Sequence, residues 1–184
     1  GGENQSSVYA IYPVESSDVL VEGCVARNIS DAGIYVGQDT GLVVRYNTAE
    51  LNVAGIEIEN SELGKVYGNY ATNNTGGLLV FKLPGPPLQV SNDHEVFDNV
   101  LIDNNTPNFG QAGTSVAVIP DGTGLLVLSN DTTDFHHNIV QGNGTFGIAL
   151  IDQAAVNALS PGTFEPPSPE QAGSGHTFPP HPVA

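Results

Sequence analysis

The chain has 184 residues, of which four are Lys or Arg and twenty are Asp or Glu, a formal charge of −16. A phosphate backbone or an anionic membrane surface would be repelled, because such binding rests on Lys and Arg, and an acidic polysaccharide would need bound Ca²⁺ or one of the few basic residues. A single cysteine, Cys24, leaves no intramolecular disulfide, and no run approaches the ~20 apolar residues of a membrane span.

The chain opens Gly1-Gly2-Glu3-Asn4 inside what reads as a coil, so it is expected to be a mature product or a fragment. Residues 9–30 form a less regular first unit. From there one pattern repeats: Gly33-Ile34-Tyr35-Val36, Gly55-Ile56-Glu57-Ile58, Gly77-Leu78-Leu79-Val80 and Gly124-Leu125-Leu126-Val127 each open a unit that closes on Asn. Residues 31–52, 53–74 and 122–143 are three copies of 22 residues each. A fixed period of this length, built from short β-type runs, is the mark of a solenoid.

Aligned copies place like residues in columns. Ile34, Ile56, Leu78, Leu125 and Ile148 form one; Val36, Ile58, Val80, Val127 and Leu150 a second; the alternation is that of strands with one face buried. Two further strands give Val44, Val66, Val96 and Phe135, then Ala49, Ala71, Leu101 and Val140. The fold class predicted is all-β: a right-handed parallel β-helix of five or six coils with three short strands per coil. Asn47, Asn69, Asn99 and Asn138, then Asn52, Asn74, Asn104 and Asn143, are expected at the corners. There Asn tolerates left-handed backbone and its amides can stack as a ladder. Cys24 falls where the first ladder would have Asn, as a small buried thiol.

Two insertions, 82–93 and 106–121, interrupt the rhythm of the helix domain, set at 1–159. From residue 160 to 184 seven prolines mark an extended tail without a core of its own, which Phe164 and Phe178 would anchor.

The segments Asp31-Ala32-Gly33-Ile34-Tyr35-Val36-Gly37-Gln38, Asn52-Val53-Ala54-Gly55-Ile56-Glu57-Ile58-Glu59-Asn60-Ser61 and Thr75-Gly76-Gly77-Leu78-Leu79-Val80-Phe81 resemble a family of exported bacterial right-handed parallel β-helix repeat proteins, with Asn108-Phe109 and Gly122-Thr123-Gly124 in the same order. The chain departs from that pattern at Lys82, where an acid is expected, and in its proline-rich tail. The resemblance implies a periplasmic or extracellular location and a protein partner similar to a c-type dihaem cytochrome; it assigns no activity.

Candidate sites are few. Glu57 and Glu59 point outward on one strand; a solvated face explains them more simply than the paired acids of a glycoside hydrolase. Arg45 and Lys65, on adjacent coils, could hold a sugar carboxylate, with Tyr67 as a base, as an acidic-polysaccharide lyase or C5-epimerase requires. His136 and His137 should point to opposite faces of a flat strand and so not share an ion. Asn130 to Asp134 offers oxygens suited to Ca²⁺, which an Asx-rich turn explains equally well; no catalytic, cofactor or metal residue is assigned. The outward positions Leu79, Phe81, Leu126 and Leu128 form an apolar patch that something must cover. That cover is expected to be an insertion, the tail or, if both leave the patch open, a protein partner. The leading functional expectation is an exported, non-catalytic scaffold subunit, and the alternative is a carbohydrate-active β-helix.

Overall fold

The computed structural model describes residues 7–152 and 154. The expected boundary near residue 159 and the tail with Phe164 and Phe178 lie outside them. The apolar columns stack into three parallel sheets that close a right-handed β-helix. The first sheet, in spatial order, holds β1 (Tyr9–Ile11), β4 (Ala32–Gly37), β7 (Ala54–Glu59), β10 (Gly76–Phe81), β13 (Thr123–Leu128) and β16 (Phe146–Ile151). The second runs through β2 (Leu20–Glu22), β5 (Val43–Arg45), β8 (Lys65–Tyr67), β11 (Asn92–Phe97) and β14 (Asp131–His136). The third comprises β3 (Val25–Arg27), β6 (Thr48–Glu50), β9 (Tyr70–Thr72), β12 (Val100–Ile102) and β15 (Ile139–Gln141).

Register follows the columns. Ile34 pairs with Ile56, Ile56 with Leu78, Leu78 with Leu125, and Leu125 with Ile148. Val44, Val66 and Val96 line up across the second sheet, and Ala49, Ala71 and Leu101 across the third. Apart from Ile148 in the last coil, these side chains are fully buried, each larger one contributing about 1.5–3 kcal/mol of hydrophobic stabilisation. A slip of one residue would turn every column outward, so the register is tightly specified.

The Asn ladders run as expected, with a different division of labour. Asn69 donates its backbone N–H to Asn99 Oδ1 at 3.1 Å and its Nδ2 to Val44 O at 2.9 Å and Asn99 Oδ1 at 3.0 Å. Its own Oδ1 accepts from Asn47. The left-handed backbone belongs to the residue before each rung: Tyr46, Gly68, Asp98 and His137 on one ladder, Leu51, Asn73, Asp103 and Gly142 on the other. The carboxamide, not a tolerance of positive φ, is what selects Asn. Cys24 sits on the first rung and donates its N–H to Asn47 Oδ1 at 2.9 Å. Its thiol is half-buried rather than buried.

Each insertion folds around one asparagine. Asn60 clasps 82–93, donating to Leu83 O at 2.9 Å and Leu88 O at 2.7 Å and accepting from Leu83 N at 2.8 Å. Asn108 clasps 106–121, donating to Val116 O at 2.9 Å and Ile119 O at 2.8 Å. The second insertion carries a 3₁₀ turn, Ser115–Val118, that places Val116 and Ile119 on the outer face of the first sheet.

Candidate functional site

Outward positions along the first sheet are in register: Tyr35 beside Glu57 beside Leu79 beside Leu126, and Gly37 beside Glu59 beside Phe81 beside Leu128. The apolar half is a second hydrophobic core, sealed by Leu83, Val116 and Ile119. Leu79, Phe81, Leu126 and Leu128 are therefore buried by the chain's own insertions, and the condition under which they would be a partner's landing site is not met.

The polar half corrects the expectation of a solvated face. Glu57 is 1 % exposed and its Oε2 has no hydrogen-bond partner; Glu59 is partly exposed. Burial, then the Glu59 and Asp31 charges, raises the Glu57 carboxyl well above the ordinary range. Glu59 is raised by burial and pulled back by hydrogen bonding from Glu57 and Tyr35. Two carboxyls this close, in so little water, share a proton instead of ionising together. Asp31, just before β4, completes the acid set: burial pushes it up to about 6, against hydrogen bonding from Tyr9.

Three tyrosines wall the acids. Tyr9 and Tyr12 lie 4.3 Å apart between ring centroids, Tyr12 and Tyr35 4.7 Å, and Tyr9 and Tyr35 5.2 Å. Tyr35 is buried and Tyr12 is 49 % exposed, so the cluster runs from the protein interior to solvent. A glycine at 37 makes this possible: a Cβ there would stand 2.2 Å from the Tyr35 hydroxyl, so the ring can lie flat along the strand only above Gly37. Burial and the neighbouring carboxylates, Asp31 first for Tyr9 and Glu59 first for Tyr35, hold the two hydroxyls protonated.

Tyr9, Tyr12 and Asp31 were not singled out from sequence. The tyrosines precede the regular coils, where column alignment has no power. Asp31 did leave a signal, since its equivalents in the next coils are Val53 and Thr75, an acid in an otherwise uncharged column.

The other candidates do not join this site. Arg45, Lys65 and Tyr67 lie on the second sheet. Arg45 is ion-paired with Glu22 and donates to the Tyr67 hydroxyl at 2.8 Å. Lys65 pairs with Glu95 at 3.1 Å. With Arg27–Glu50 at 2.7 Å and Lys82–Asp131 at 3.5 Å, all four Lys and Arg of the chain carry an internal counter-ion. The Tyr67, Phe97 and His136 rings stack on one another at 4.7 and 5.0 Å, so their faces are turned to each other rather than to a sugar.

His136 and His137 contradict the flat-strand expectation. His137 has φ 54 at the corner, which swings its ring back until the two Nδ1 atoms are 2.7 Å apart, one donating to the other. Their other close polar neighbour is Glu95, 3.3 Å from His136 Nε2. Within Asn130–Asp134, Asn130 accepts from Thr133, Thr132 donates to Asp93 at 2.8 Å, and Asp131 takes Lys82. Among the described residues no group of three or more His, Cys, Asp or Glu could hold a metal ion.

His94 is another buried titratable group, 2 % exposed behind an open cavity of about 340 Å³ lined by Lys65, Glu95 and Asp134 among others. Its Nδ1 accepts from Gly64 N–H at 3.2 Å, so Nε2 carries the proton and faces Ser91 Oγ at 3.4 Å. That tautomer cannot deprotonate a serine; His94 is a neutral core residue, lowered to about 4 by burial.

No helix among the described residues is long and apolar enough to cross a membrane. No curated protein and no solved structure matches the chain. The family model described as the right-handed β-helix region matches residues 4–164, in accord with the three stacked parallel sheets, and the chain belongs to that family.

Proposed function

We propose that the protein is an exported carbohydrate-active β-helix that acts on a glycan lacking carboxylates, using the acids on the outer face of its first sheet. One observation carries this reading: Asp31, Glu57 and Glu59 converge beside three tyrosines, while every Lys and Arg is paired elsewhere. The acidic-polysaccharide alternative needs a free cation to hold the sugar carboxylate, and Arg45 and Lys65 do not supply one. Acid–base cleavage of a glycosidic bond needs a carboxyl kept neutral and a carboxylate kept ionised. Glu59, the partly exposed member, delivers the proton to the leaving oxygen, and Glu57 behind it restores that proton. Asp31 is the base that activates water, and the half-exposed Tyr12 guides the sugar ring. The reading needs neither a cofactor nor Ca²⁺.

The test is a turnover screen on neutral glycans beside pectate and alginate, with and without Ca²⁺, for the wild type and Glu59→Gln. Release of sugar from a neutral glycan, reduced about a hundredfold or more in Glu59→Gln, supports the proposal. Cleavage of pectate or alginate alone, abolished by changing Arg45 or Lys65, overturns it.

A second reading, the non-catalytic scaffold subunit beside a protein partner such as a c-type cytochrome, rests on the last coil. Ile148 and Leu150 belong to the inward columns yet are 49 % and 67 % exposed. Copurification of such a partner from the periplasm, together with an inert glycan screen, would favour it.

A further inference from the structure

Away from the acids of the first sheet, the corner that follows β14 brings two imidazoles together. His136 ends the strand and His137 turns the corner at φ 54, with their Nδ1 atoms 2.7 Å apart. Both rings are held in place. His136 stacks on Phe97 at 5.0 Å with 9° between the planes, and His137 stands nearly perpendicular to it, at 87°. The next residue, Asn138, is a ladder rung that donates to Val96 O at 2.8 Å and accepts from Asn99 at 3.0 Å. Glu95 decides the tautomer of His136. Lys65 first, then His136, hold the Glu95 carboxyl below its ordinary range, so it is ionised and accepts from His136 Nε2 at 3.3 Å. That leaves the lone pair on His136 Nδ1, on the side of His137.

We infer that His136 and His137 chelate a divalent transition-metal ion through their two Nδ1 atoms, and that copper(II) is the ion that fits. Nitrogens 2.7 Å apart, each about 2.0 Å from an ion, subtend about 85° at it. That is close to the cis angle of a square-planar or tetragonal site, which suits copper(II) and nickel(II), and copper(II) binds the tighter of the two. Tetrahedral zinc would need the nitrogens about 3.3 Å apart. Without metal, His137 Nδ1–H donates to His136; to bind, His137 carries its proton on Nε2 instead, as either tautomer of a neutral imidazole allows. Glu95 takes the part of the carboxylate beside a metal-bound histidine, orienting the ring and raising its basicity. Asp98, at the same corner one coil earlier, and Asp134, on the strand with His136, add negative charge around the ion. No third His, Cys, Asp or Glu among the described residues closes on the pair, so water fills the other positions and they stay exchangeable.

The experiment is isothermal titration of the full chain with copper(II) chloride and with zinc chloride at neutral pH, joined to electron paramagnetic resonance of the copper(II) form. The expected result is a tetragonal copper(II) spectrum with two imidazole nitrogens, and copper(II) bound more tightly than zinc. Glu95→Gln, which keeps the shape and loses the charge, should weaken copper(II) about tenfold or more. Loss of either imidazole, in His136→Gln or His137→Gln, should weaken it further still. Changing His176 and His181 together to Gln leaves the pair intact and should not alter that spectrum. Thermal melting without metal checks that each variant is folded, and the wild-type spectrum tests the chelate independently of any variant. Copper(II) affinity unchanged in both His136→Gln and His137→Gln overturns the inference, because the ion then sits on His176, His181 or the terminal amine. So does a loss in only one of the two, or a wild-type spectrum with a single imidazole nitrogen, since one histidine is then acting alone. Zinc bound as tightly as copper(II) overturns the assignment of the ion.

Discussion

At the level of single residues the molecule sets acids and a histidine against each other in pH. Asp31 titrates higher folded than unfolded, so the stability of its neutral form is intact below 3.8 and is lost as pH rises towards about 6. Glu57, raised well above 4.5, extends the same loss to higher pH. His94, depressed from 6.5 to about 4, works in the other direction: its contribution is intact above 6.5 and is lost as pH falls. The two effects oppose each other in the mildly acidic range, and above it only the acids act. Glu57→Gln should therefore raise the melting temperature above neutral pH, by roughly 1–3 kcal/mol in stability, and flatten its fall with pH; a variant no more stable there would mean Glu57 ionises freely. Gly64 faces the His94 ring, and a Cβ there would stand 2.5 Å from Nδ1. Gly64→Ala should cost about 1–3 kcal/mol by chemical denaturation, where a neutral result would show that the ring can move aside. Leu51 is exposed with φ 57, a conformation that strains a leucine. Leu51→Asn should stabilise by about 0.5–1 kcal/mol.

Among the elements, strands and ladders were readable because they repeat. Each inward position recurs once per coil, so Ile34, Ile56 and Leu78 vouch for one another, and the Asn columns do the same. Reading stopped where the repeat stops. Asn60 and Asn108 act once each, as clasps, and nothing in a column distinguishes a clasp from a turn. The fate of the outer face depended on where the 3₁₀ turn would land, a long-range packing outcome that local pattern does not encode. The same gap hid the site: Glu57 and Glu59 read as solvated because their cover comes from other coils and from Tyr9 and Tyr12. The ladders should be uneven in value. Asn69→Ala strips bonds from Asn47, Val44 and Asn99 in the buried middle, and should cost on the order of 3–5 kcal/mol. Asn138→Ala, at the last rung, should cost less than half of that. Equal losses at both positions would contradict cooperative stacking.

For the whole molecule, a charge of −16 on a narrow solenoid should make stability rise with salt, and it places a negative field around a face that already gathers three acids. The account stands or falls on whether that face is a proton-sharing site or an ordinary wet strand. Carbon-13 NMR of the side-chain carboxyls, followed through pH, reads this directly. The account predicts that Glu57 titrates far above a solvated glutamate, that Glu59 titrates in two coupled steps, and that Glu57→Gln reduces Glu59 to one. If Glu57 and Glu59 instead titrate singly and independently near 4.5, as free side chains do, the site proposed here does not exist.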